Sequence, residues 1–117
     1  MSESMMQLEK IIQSPNERRE LINHVMHLKT GQLITKIRFI ATVCQYEQCS
    51  EKHERNKMAQ KISFIFIRPE AIFSILSLQD NLRKKILLGN DQCLVLAKNE
   101  MLRELCSTYE LLNFVRL

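Results

Sequence analysis

Apolar residues recur along most of this 117-residue chain at the three- and four-residue steps that line one face of a helix. The pattern is strongest from about Gln32 to Gln48, where Leu33, Ile37, Ile40 and Cys44 form one stripe. Ile34 and Ala41 broaden that stripe, while Lys36, Arg38 and Gln45 fall on the polar side. Ahead of it, Leu8, Ile11 and Ile12 mark a short helix from Met5 to Ile12. Ser14-Pro15-Asn16 breaks that helix, and Ser14 or Asn16 is suited to cap the next one. Glu17 and Glu20 lie in its first turn, where negative charge meets the positive end of the helix dipole. Leu21, Val25 and Leu28 form its buried row, and Gly31 is the expected stop.

The central stretch, from Lys57 to Arg83, is the most irregular and the rest must pack around it. Met58, Ile62 and Ile65 share a face, widened by Phe66. Arg68-Pro69 then intervenes; proline lacks an amide hydrogen and disfavours helical geometry in the residue before it. One helix is expected to end near Ile67 and a new one to begin at Pro69. Polar residues from Glu47 to Lys57 read as a surface loop leading into the central helix. After Gln79-Asp80-Asn81, Leu82, Ile86 and Leu87 define a helix ending at Gly89-Asn90. Asp91 is placed to cap the last long helix, with Leu94, Ala97, Met101 and Leu105 at helical spacing. Ser107-Thr108 interrupts it before a final turn carrying Leu111, Leu112, Phe114 and Val115. The expectation is an all-α fold, a single domain over residues 1–117, built of seven to nine short helices.

Composition supports that reading. Only 2 Gly and 2 Pro are present, too few for the tight turns a β-rich domain of this length needs. The net charge of +4 favours acidic partners or an anionic membrane face, but falls short of the dense basic tracts that point to nucleic acid. No apolar run nears the roughly 20 residues needed to span a bilayer. The first residues lack the order of a signal peptide, so Cys44, Cys49, Cys93 and Cys106 read as reduced thiols in the cytoplasm. Of these, Cys44, Cys93 and Cys106 are expected to be buried and Cys49 exposed.

A search for catalytic chemistry returns little. With only Gly31 and Gly89, no loop can wrap a phosphate as Walker or dinucleotide motifs do. There is no nucleophile elbow and no HExxH metal helix. His24 and His27 stand three apart but lack carboxylate or thiolate company, so rim histidines are the default reading. No catalytic residue, metal or cofactor is expected. The basic residues around Lys52–Lys61 and Arg83–Lys85 read first as solvated faces and second as a peripheral contact with anionic membrane.

Taken end to end, the apolar signature resembles the regulator of G-protein signalling (RGS) homology domain over nearly the whole chain. The clearest part is Ala59-x-x-Ile62-x-x-x-Phe66-Ile67, followed by Ala71, Ile75 and Arg83. The family shows an A-x-x-I-x-x-x-F-I run there, then an alanine, an apolar residue and an arginine at similar intervals. Leu28-Lys29-Thr30, Ile37-x-Phe39-Ile40 and Tyr46 resemble the family's third and fourth helices, with Ile40 where tryptophan is usual. Ala97-Lys98, Met101, Leu105 and Phe114 resemble its late A-Q-x-x-V-x-x-L-M…F pattern.

The resemblance implies an RGS-like bundle that binds the switch regions of a GTP-loaded Gα subunit, or of another signalling protein. Gα carries its catalytic arginine in cis, so such a partner contributes no reacting group. It accelerates hydrolysis by holding the switches in the shape the transition state requires. By this resemblance the Gα-contact candidates are Leu33, Ile34, Thr35, Lys36, Gln79, Arg83, Glu110 and Asn113. Leu33-Ile34-Thr35-Lys36 stands where the family has S-E-E-N, and a lysine cannot accept the hydrogen bond that the amide of asparagine can. Gln79 replaces an acidic residue, Arg83 is retained, and the late D-S-Y-x-R segment has become Thr108–Asn113 without its arginine. The alternative is therefore an RGS-homology scaffolding domain that binds without activating hydrolysis.

Overall fold

The computed structural model describes residues 2–28, 31–108 and 111. Among these the chain is helical with no strand: α1 (Glu3–Gln13), α2 (Pro15–Val25), α3 (Gly31–Gln48), α4 (Lys52–Ile62), α5 (Asp80–Leu87) and α6 (Gln92–Cys106). A π-helical turn, Ser63–Ile67, extends α4 and is closed by Arg68 N–H donating to the Ser63 carbonyl at 3.0 Å.

The all-α expectation holds, while the element count differs from seven to nine: six α-helices and the π-turn occur among the described residues. No helix begins at Pro69. Residues 68–79 instead run through isolated turns, in which Ala71 N–H meets the Arg68 carbonyl and Ser74 N–H the Ala71 carbonyl. The polar segment read as a loop is mostly helix, because Glu51 caps α4 and leaves only Cys49–Glu51 outside helices. Gly31 opens α3 and does not close α2, which ends at Val25. The last turn expected from Leu112, Phe114 and Val115 lies outside the described residues; Leu111 is buried.

Local chemistry accounts for the ends. Pro15 occupies the first turn of α2, where a missing N–H costs nothing. Ser2 accepts from Met5 N–H at the start of α1, whereas Ser14 and Asp91 occupy cap positions without a side-chain cap bond. At the end of α5, Gly89 has φ +94°, Gly89 N–H donates to Ile86 and Asn90 N–H to Lys85. That pair of bonds satisfies carbonyls the helix leaves open, and the positive φ is why glycine is needed there.

The hub is α3, which packs against α1, α2, α4 and α6. Nine of its residues are buried, including Ile37, Phe39, Ile40 and Val43, so its apolar surface wraps well past a single stripe. Leu8 and Ile12 of α1 and Leu94, Met101 and Leu102 of α6 complete the centre. Between these three helices lies the side chain of Lys98, only 5% exposed, paired with Glu9 of α1 at 2.7 Å and with Glu47 of α3. Phe66 and Ile67 are buried, and the Phe66 ring meets Phe39 edge-on at 5.5 Å between centroids.

Candidate docking interface

The first two turns of α3, the turn segment after the π-turn and the end of α6 meet at one place, here called the docking end. Gln32 joins two of them, its Nε2 donating to the Ser74 carbonyl at 3.3 Å and its Oε1 accepting from Leu76 N–H at 3.1 Å. Glu104 joins all three, pairing with Lys36 Nζ at 3.0 Å and accepting from Ser77 Oγ at 2.8 Å. Beneath the turns, Arg83 of α5 reaches inward. Its guanidinium donates to the carbonyls of Ile67 and Ile75 and, at 3.3 Å, to Ser74 Oγ. Ile75 N–H also donates to the Phe66 carbonyl at 3.0 Å. Residues 68–74 thus form a loop closed at its base, with one arginine fork satisfying the carbonyls on both sides.

The contact candidates separate on this geometry. Leu33 and Thr35 are buried in the helix packing and Ile34 is half-buried against the core, so the first two turn their side chains away from any partner. Lys36 is neutralised by Glu104. Gln79 is exposed just before α5, two residues after Ser77. Arg83 is a positioning residue that frames the loop. Glu110 and Asn113 lie outside the described residues. Sequence reasoning missed Gln32, Ser77 and Glu104, which bring the three segments together; no periodicity marks a polar residue that bonds across elements.

Cys44 and Cys93 are buried, while Cys106 and Cys49 are half-buried, so Cys106 is less enclosed and Cys49 more so than expected. Burial pushes the Cys44 and Cys106 thiols above their ordinary value, the wrong direction for a nucleophilic thiolate. His24 and His27 meet edge to face at 6.5 Å between centroids. Among the described residues, no group of three or more His, Cys, Asp and Glu side chains is arranged to hold a metal ion. No helix among them is long and apolar enough to cross a membrane. Comparison with family models, with characterised proteins and with solved structures finds no match.

Proposed function

We propose that this chain is an RGS-like domain that docks on a Gα subunit of a heterotrimeric G protein, in the cytoplasm, without chemistry of its own. The observation that carries the reading is the meeting of three sequence-distant segments at one place, tied by Gln32 and by the Lys36–Glu104–Ser77 linkage. These segments hold or adjoin every described residue that the family resemblance nominates. A rigid end made of cross-linked turns can select one shape of a mobile partner, and selection of the transition-state shape is what accelerates hydrolysis.

A second reading, scaffolding on a signalling protein without acceleration, is favoured by one feature. Leu33 and Thr35 face inward and Lys36 is engaged by Glu104, so no free amide stands where the family presents its asparagine. The test pairs binding with single-turnover GTP hydrolysis across a panel of Gα subunits. The first reading expects tighter binding to the transition-state-analogue form and faster hydrolysis. The second expects binding without preference for that form and no change in rate. Absence of binding to every Gα subunit overturns the Gα proposal.

A further inference from the structure

Beside the docking end, the loop and the π-turn leave a groove with an unusual concentration of uncovered apolar side chains. Phe64 is 63% exposed, Ile72 94% and Leu88 86%, and Phe73 and Leu87 are exposed as well. A cavity of about 350 Å³ lies between Phe64, Ile65, Arg68, Ala71, Ile72 and Phe73. A second hollow shares Phe64 and Arg68 with it and reaches Leu87 and Leu88. A third shares Ile65 and Phe73 with it and is edged by Arg18, Arg38 and Lys61. Arg68 lies over the Phe64 ring at 5.0 Å, which keeps its charge at the groove rim.

We propose that this groove binds an amphipathic segment of another protein, with large apolar anchors on one side and Asp or Glu residues along its edge. The apolar floor supplies the seat for anchors, as in helix-in-groove recognition. The sign comes from the neighbouring hollow, where Arg18, Arg38 and Lys61 stand without a carboxylate, while Arg68 and Glu70 balance at the apolar cavity itself. Charge complementarity of this kind steers encounter and fixes orientation. A membrane surface fits less well, because the site is concave and Glu70 and Asp91 would face anionic headgroups. The inference does not depend on the Gα reading, since it uses the flank of the loop and neither Lys36 nor Gln79.

The test is selection from a displayed library of 16-residue helical peptides, followed by fluorescence anisotropy on synthetic copies of the winners. Phe64→Ala, Ile72→Ala and Lys61→Glu alter exposed side chains, and a thermal melt of each verifies that the fold survives. Selected peptides are expected to carry acidic residues beside Leu, Phe or Trp anchors. Their affinity should fall roughly tenfold or more in Phe64→Ala and in Lys61→Glu, and weaken further in about 0.5 M salt. Failure to select binders overturns the proposal, as does enrichment of peptides without acidic residues or binding indifferent to these variants. Recruitment to phosphatidylserine vesicles with no peptide binding assigns the groove to a membrane and equally overturns it. So does concentration-dependent dimerisation that Phe64→Ala abolishes, with no peptide binding.

Discussion

At the scale of single residues, two cations carry work that their exposed-looking sequence contexts hide. Arg83 belongs to a basic run, Arg83-Lys84-Lys85, yet it is the member whose planar fork reaches two backbone carbonyls and a hydroxyl. Lysine offers a point charge on a single nitrogen and cannot span those acceptors. Arg83→Lys is therefore expected to lose about 1–3 kcal/mol, read as a lower urea midpoint at an unchanged denaturant slope. The same geometry means that lost Gα binding in Arg83→Ala would report a collapsed loop as readily as a missing contact. Lys98 is the other case. Burial alone would make its ammonium easier to deprotonate, but the hydrogen bonds it donates to Glu47 and Glu9 more than offset that and raise its pKa above the ordinary 10.5. A raised lysine contributes stability that is complete below the unfolded value and is lost as pH climbs through the folded one. Urea midpoints should thus fall as pH rises above 10.5, and fall less steeply in Lys98→Met. Cys44 and Cys106, both raised by burial, add a decline of their own in either protein.

Among the elements, α4 and the segment after it show where sequence was readable and where it was not. Helices α1, α3 and α6 announce themselves because each buries apolar residues at regular steps against a neighbour. The first two turns of α4 bury nothing, since its buried residues are Ala59 and Ile62 alone, so charged residues from Lys52 to Lys57 look like loop. What starts the helix is a local bond. The Glu51 carboxylate accepts from His53 N–H at 3.0 Å and Glu54 N–H at 2.7 Å, which satisfies two amides that a helix start leaves open. Glu51→Ala should cost about 1 kcal/mol and fray that end, seen as faster amide exchange over the first turns of α4. Pro69 misled in the opposite sense. Its fixed φ suits a helix start and a turn equally, and the choice is made at long range. Arg83 and Gln32 take the carbonyls of Ile67, Ser74 and Ile75, and Ile75 N–H returns to Phe66, which closes a loop where a helix would run onward. No spacing rule sees bonds formed across 42 residues, as between Gln32 and Ser74.

For the molecule as a whole, the question is whether the docking end is an appendage or an extension of the core. The radius of gyration, 13.8 Å, is close to the about 13.4 Å expected for a compact chain of this length, so the loop and α5 are drawn in against the rest. The route is specific. Phe39 of the hub helix meets Phe66, and Phe66 and its neighbour Ile67 supply carbonyls to Ile75 N–H and to Arg83. A change at Phe39 therefore lets the π-turn shift, and that shift moves the acceptors on which Arg83 depends. A double-mutant cycle of Phe39→Leu with Arg83→Lys, measured by urea unfolding, is expected to show coupling of about 0.5 kcal/mol or more. Strict additivity would mean that the loop frame rests on the core without sharing its packing. Coupling would mean that the rigidity of the proposed docking surface is set by the same aromatic contact that helps hold the centre together.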